Sequence, residues 1–163
     1  MGDATDPDAI ERVVAGAEPV LDVTGPVKGA AKDLRGQVVR HLLAAMQRHG
    51  VKRLIFLAGA GVRVEGHEPD LADRAIQGVM SLLQGEILED SQAAVAAVTS
   101  APLDWTVVRA SRLTDVEPRG TLRTASHVGG GTGTTLGRGD LAAFLLDELE
   151  TGTWSGHAPV ISW

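Results

Sequence analysis

Two apolar patterns alternate along the 163 residues. One recurs every three to four positions and predicts amphipathic helices. The other is a short unbroken apolar run and predicts strands buried on both faces. Thr5-Asp6-Pro7-Asp8 opens the first helix: Asp6 can cap it and Pro7 suits its first position. Ile10, Val13 and Val14 then fall on one face, and Gly16 marks the end. Residues 19–23 (PVLDV) predict a strand, closed by Thr24-Gly25-Pro26. Residues 32–49 predict a helix with Val38, Val39, Leu42, Leu43 and Met46 at helical spacing and Gly50 as its stop. Residues 53–57 (RLIFL) predict a buried strand that ends in Ala58-Gly59-Ala60-Gly61.

Residues 62–70 are polar and read as a loop. Residues 71–100 are helical in period, with breaks expected at Gly78 and Gly85 and Asp90 starting a new helix. Pro102 precedes a strand over 105–109 (WTVVR), and 121–125 predict a short strand. The glycine-rich stretch 129–139 reads as loop. A helix over 140–149 follows, with Leu141, Phe144, Leu145 and Leu149 inward, and a last strand over 159–162. No internal repeat interrupts this order. Helices that alternate with short apolar strands imply an α/β fold: a parallel sheet with helices on both faces. In such sheets ligands bind outside the carboxyl ends of the strands. Three small-residue segments fall there: Thr24-Gly25-Pro26, Ala58-Gly59-Ala60-Gly61 and Ala110-Ser111-Arg112.

Composition narrows the chemistry. Three Trp, two Phe and no Tyr leave an aliphatic core and remove a common acid/base side chain. Without Cys there is no disulfide, no thiolate catalysis and no Cys-based zinc site. The histidines, at 41, 49, 67, 127 and 157, show no H-x-x-x-H spacing, so no metal site is expected. A net charge of −6 argues against nucleic acid as a partner. No apolar run reaches the roughly 18–20 residues of a membrane span. The acidic start is not a secretory signal. Together these features predict a cytoplasmic protein. Asp70, Asp73, Glu86, Glu89 and Asp90 read as a solvated helix face. Gly129-Gly130-Gly131-Thr132-Gly133-Thr134-Thr135 precedes a helix as a phosphate loop should, yet it lacks the lysine of G-x-x-x-x-G-K-[ST].

Several segments carry a family resemblance. Gly2-Asp3-Ala4-Thr5-Asp6-Pro7, then Ala15-Gly16-Ala17 and a strand ending at Gly25, resemble the third βα unit of atypical short-chain dehydrogenase/reductases of the NAD(P)H-binding, NmrA-like group. Residues 50–57 resemble that group's fifth strand and residues 103–109 its sixth. Arg109-Ala110-Ser111-Arg112-Leu113 stands where the group has Arg-Pro-x-x-Leu, and residues 138–146 resemble its C-terminal helix. The resemblance implies one Rossmann-like domain over residues 1–163, N-terminally truncated, without the first two βα units and their glycine-rich turn. The implied cofactor is NAD or NADP. Gly2 and Asp3 would lie at the adenine, Thr24, Gly25 and Pro26 at the ribose and inner phosphates, and Ala58, Gly59 and Ala60 at the nicotinamide. Ser111 would contact the carboxamide or a substrate, and Arg109 a phosphate or carboxylate.

The chain departs from the group at chemically important places. Ala58-Gly59 replaces a Ser-Ser pair, and Gln92 stands near the catalytic lysine's place. No proton donor is assigned; Ser111 is the nearest candidate. Three readings stay open: an NAD(P)-dependent oxidoreductase domain acting on a small molecule, a non-catalytic nucleotide-sensing module, and a fragment that binds no cofactor. In the group's strand order, loss of the first two units uncovers the strand over residues 20–23. Such an apolar edge invites pairing with another chain and predicts self-association.

Overall fold

A computed structural model describes residues 2–25, 29, 31–64, 71–127 and 131–163; over 71–84 it describes the backbone. The first helix, α1 (Pro7–Val14), has Asp6 as its cap, whose carboxylate accepts from the Asp8 N–H at 3.0 Å. Ala9 and Val14 are buried, but Val13 is 74% exposed, against the expectation that it shares the inward face. Eight residues make little more than two turns, and the face carrying Ala9 and Val14 leaves Val13 outside it. Strand β1 (Pro19–Asp22) follows. Helix α2 (Leu34–His49) ends at Gly50, whose φ of 70° is the left-handed conformation that this cap requires.

Strand β2 (Arg53–Gly59) leads into α3 (Leu71–Ser100), one continuous helix of 30 residues. The breaks expected at Gly78 and Gly85 do not occur. A glycine inside a helix costs only about 1 kcal/mol relative to alanine, too little to end it alone. Asp90 accordingly lies within α3 and starts nothing. Strand β3 (Asp104–Ala110) is followed by β4 (Arg112–Thr114), which the sequence pattern did not predict, and by β5 (Arg123–Ala125). Strand β6 (Thr135–Gly137) lies inside the stretch read as loop, and Leu136 within it is fully buried. Helix α4 (Arg138–Thr151) and strand β7 (Val160–Ser162) complete the described elements.

The main sheet has the order β1-β2-β3-β7-β5, with β5 alone antiparallel; β4 and β6 pair separately. Asp22 stands beside Phe56, Gly59 beside Ala110, and Ala110 beside Ile161. Alternation along the strands divides the core. Leu54, Phe56 and Val107 pack with Val39, Leu42, Met46, Val95 and Val98 of α2 and α3 on one face. Ile55, Val108 and Ile161 pack with Leu141 and Leu145 of α4 on the other. The fold is therefore α/β, a mainly parallel sheet flanked by helices in a Rossmann-like arrangement, as the sequence pattern implied. Strand β1 lies at the edge of the sheet. No helix among the described residues is long and apolar enough to cross a membrane.

The amino end of the sheet is closed by a buried polar cluster. Glu148, 1% exposed, accepts from Arg53 at 2.6 Å, from the Thr106 hydroxyl at 2.8 Å and from the Trp154 N–H at 3.0 Å. Glu11 of α1 meets Arg48 and His49 at the last turn of α2, so both helices end at this side. Their first turns consequently face the carboxyl end.

Candidate functional site

Four strand ends form the carboxyl rim, in the order β1, β2, β3, β7. At β1, Asp22 is buried and accepts from the Thr24 N–H at 2.9 Å and the Thr24 hydroxyl at 2.6 Å. Arg35 reaches Asp22 from the first turn of α2 at 3.0 Å, and both side chains are within 4% of full burial. Its guanidinium also donates to the Thr24 carbonyl and hydroxyl and, at 2.9 Å, to the Leu57 carbonyl. It lies 4.2 Å over the Phe56 ring. Thr24 is thus held as part of a rigid turn, and Gly25 beside it is exposed. Pro26 lies outside the described residues.

Arg35 was not singled out from the sequence, although it sits three and four residues before Val38 and Val39 on the inward stripe. A charge on that stripe signals a buried partner. Asp90 was likewise misread. Its two carboxylate oxygens accept from the Arg35 N–H at 2.8 Å and the Gly36 N–H at 2.9 Å, capping α2 from the neighbouring helix. It is therefore not part of a merely solvated face, and the α2 terminus already holds an anion. A β-carbon at Gly36 would stand 2.9 Å from Asp90 Oδ1. The sequence separation of 54 hides this pairing from any local pattern.

At the end of β2, Ala58 is half-buried and Gly59 exposed. Among the described residues a β-carbon at Gly59 or Gly25 would meet nothing within 4 Å, so the main chain at both is open toward them. The Ala60 N–H donates to the Ala110 carbonyl at 2.9 Å, joining this turn to β3. Gln92 clasps the next residues: its amide accepts from the Arg63 N–H at 2.7 Å and donates to the Arg63 carbonyl at 2.6 Å.

At the end of β3, Arg109 is 4% exposed and faces main chain. It donates to the carbonyls of Ala158 at 2.7 Å, Val62 at 3.3 Å and Ser126, tying three loops together. The Ser111 hydroxyl donates to the Gly133 carbonyl at 3.0 Å, and the Gly133 N–H donates to Ser162 at 2.6 Å. The second half of the glycine-rich stretch is thereby seated on the ends of β3 and β7.

Beyond β7, Trp163 donates from its indole N–H to Asp140 at 2.7 Å. Asp140 also accepts from the Arg119 and Gly120 N–H groups at 2.8 and 2.9 Å. The Arg119 N–H, then the Trp163 indole, hold the Asp140 carboxyl below its ordinary range. Sequence reasoning gave this group no role. At the chain start, Gly2 packs on Ala9, where a β-carbon would come within 2.7 Å. Asp3 is exposed and accepts from the Thr5 N–H and hydroxyl, both at 2.8 Å, and the N–H foremost lowers its pKa. Because α1 starts at the carboxyl side, Gly2 and Asp3 lie on the same side of the sheet as Gly25 and Gly59.

Comparison with known proteins agrees with this architecture. Residues 1–151 match the family model described as NAD(P)H-binding. Among curated proteins none matches. A Rossmann-fold NAD(P)-binding family protein from Shigella flexneri superposes with a TM-score of 0.70 at 22% identity, over 99% of this chain and 68% of that one. A short-chain dehydrogenase/reductase from Veillonella parvula, in complex with NADP, gives 0.76 at 16%, over 99% and 70%. ChuY, an anaerobilin reductase from Escherichia coli O157:H7, gives 0.79 at 16%, over 99% and 72%. At these identities the structures establish the fold.

Proposed function

We propose that this chain, which belongs to the NAD(P)H-binding family, holds the ribose and nicotinamide of NAD or NADP on its carboxyl rim and serves an atypical short-chain dehydrogenase/reductase-like oxidoreductase of the NmrA-like group. The carrying observation is the pair of open main-chain positions at the ends of adjacent parallel strands: Gly25, next to the fixed Thr24 in the turn after β1, and Gly59, the last residue of β2. Those residues fit the ribose and nicotinamide portion of a dinucleotide. They do not supply a pyrophosphate cradle: the sequence holds no G-x-G-x-x-G, and Asp90 occupies the N–H groups of the α2 terminus.

In this reading Thr24, Gly25 and Pro26 border the ribose, and Ala58, Gly59 and Ala60 border the nicotinamide. Gly2 and Asp3 approach from the adenine side. Ser111 spends its proton on Gly133 but keeps lone pairs that can accept a carboxamide N–H. Arg109 acts by fixing the loops after β2 and before β7. The bound nicotinamide supplies the hydride. With no Tyr in the chain and with Gln92 engaged by Arg63, the reading favours an acceptor that takes its proton from solvent, such as a quinone or flavin.

The test is titration with NADPH and with NADH, followed by melting temperature and by energy transfer from tryptophan. At one hundred times Kd, binding stabilises by about 2.7 kcal/mol. Trp163 stands at the carboxyl rim, while Trp105 and Trp154 stand at the amino end, so W163F removes most of the transfer. No shift with either dinucleotide refutes the reading. Binding without turnover of a quinone or flavin favours the sensing module, for which the Gln92 clasp is the supporting observation.

A further inference from the structure

The side chains beyond β7 form a group that the dinucleotide reading does not use. Asp140, near the start of α4, spends both oxygens on three N–H donors: Arg119, Gly120 and the Trp163 indole. It is 4% exposed, so these bonds are made out of water and are geometrically strict. They fix the loop carrying Arg119 and the plane of Trp163 together. Two glycines permit the packing. A β-carbon at Gly137 would stand 2.6 Å from the Trp163 ring, and one at Gly139 would stand 2.5 Å from Pro118.

On this base the guanidinium of Arg119 lies 3.8 Å over the Trp163 ring. The residue is otherwise exposed, and among the described residues no oxygen accepts from its guanidinium. An ordinary surface arginine is free to wander. This one is held by an aromatic face, which is worth about 0.5–1 kcal/mol at an exposed site and leaves its N–H fork available. The nearby cations are differently employed: Arg138 pairs with Asp115 at 3.3 Å, and Arg123 donates to the Gly131 carbonyl at 3.4 Å. Trp163, on which Arg119 sits, borders the rim through its main chain. The Trp163 carbonyl lies where a β-carbon of Gly133 would meet it at 2.5 Å, and Ser111 donates to that same Gly133.

We infer that Arg119, seated on Trp163, recognises an oxyanion, foremost a carboxylate, on the molecule that shares the rim with the dinucleotide. The inference rests on the reading above and names its substrate class: a flat acceptor bearing an acidic substituent. A carboxylate meeting the guanidinium fork gains two charge-assisted hydrogen bonds, which an uncharged analogue cannot match.

The probes are anthraquinone-2-carboxylate and 2-(hydroxymethyl)anthraquinone, titrated calorimetrically with and without saturating NADP. Wild type is expected to bind the carboxylate about tenfold more tightly than the alcohol. Arg119→Ala brings the two within about twofold, and Arg119→Lys keeps part of the preference because it keeps the charge but loses the fork. Arg123→Ala and Arg138→Ala keep all of it. NADPH affinity stays unchanged in Arg119→Ala; a parallel loss there assigns the anion to the dinucleotide and overturns the inference. So does a wild type without preference, or a preference that survives Arg119→Ala. A chain that fails to bind NADP yet prefers the carboxylate through Arg119 refutes the dinucleotide reading and leaves the anion site standing.

Discussion

The two ends of the parallel sheet use buried charge in different ways. At the amino end, Glu148 gathers Arg53, Thr106 and Trp154 into a closed cluster whose members turn toward one another. At the carboxyl end, Arg35 and Arg109 are as deeply buried, but besides the Asp22 carboxylate and Thr24 hydroxyl held by Arg35 their bonds run to main chain: Thr24 and Leu57 for the first, the loop residues Val62, Ser126 and Ala158 for the second. The first arrangement seals an end. The second fixes loops while leaving Gly25 and Gly59 open between them. The difference teaches that buried charge alone does not mark a site; its partners do.

The strongest way to break the comparison is to remove the centre of the sealed end. Glu148→Ala takes from Arg53, whose side chain is 14% exposed, its nearest carboxylate and leaves it Asp104 at 3.3 Å, while the Thr106 hydroxyl keeps the Trp154 carbonyl at 3.1 Å. The expected loss is about 3 kcal/mol in urea unfolding, the low end for breaking a buried pair, because Asp104 still faces the Arg53 charge. Among molecules that stay folded, NADPH affinity is expected to be unchanged. A selective loss of affinity would show that the amino end also shapes the rim.

Arg109→Met tests the other end. It removes the donor to three loop carbonyls and is expected to cost about 2–3 kcal/mol. Here NADPH affinity should fall as well, by more than the stability loss alone explains at temperatures where the variant is fully folded. If affinity holds, Arg109 is a fastening of the core and not of the rim.

Next in size is the cap between α2 and α3. Asp90→Ala removes two N–H acceptors and should cost about 1 kcal/mol, as the loss of a helix cap does. The informative variant is Gly36→Ala. In an unencumbered helix it stabilises by about 0.5–1 kcal/mol. With Asp90 in place the new β-carbon meets Oδ1 at 2.9 Å, so that gain should vanish and return only in the Asp90→Ala background. Additive effects in this cycle would mean that Asp90 does not approach α2 so closely.

How much of this was legible in the sequence follows the range of the forces involved. The strands over Leu54, Ile55 and Phe56 and over Val107 and Val108 were legible because burial on two faces writes an unbroken apolar run. The caps at Asp6 and Gly50 were legible because they act within one turn. Leu136 was hidden among glycines, and three residues carry too little pattern to announce a strand. The continuity of α3 past Gly78 and Gly85 was missed because a local penalty was weighed without the helix around it. At the rim, the segments at Thr24, Gly59 and Ser111 were placed correctly on adjacent strand ends. The partners of Arg35, Asp90, Arg109 and Asp140 were not foreseen, since each is joined across 11 to 55 residues of sequence.

The smallest effect distinguishes the two ends by pH. Glu11, at the amino side, is lowered from its ordinary 4.5 to about 2, chiefly by Arg48. Asp140, at the carboxyl side, is lowered from 3.8, chiefly by the Arg119 N–H. For a carboxyl whose folded pKa lies below its unfolded value, the folded state binds fewer protons. Its stabilisation is therefore complete above the unfolded pKa and is lost as pH falls through the folded one. The melting temperature should decline as pH falls from about 4.5 to about 2, and should not vary with pH on account of either group near neutrality, where the stabilisation of both is complete. Glu11→Gln and Asp140→Asn should each flatten part of that decline. The Glu11 part should also shrink in high salt, because its partners are solvent-exposed and screened. The Asp140 part should persist, because its acceptor bonds are short, buried and made mostly to main chain. Equal salt sensitivity of the two would show that the loop carrying Arg119 is not held in the way its two N–H contacts to Asp140 require.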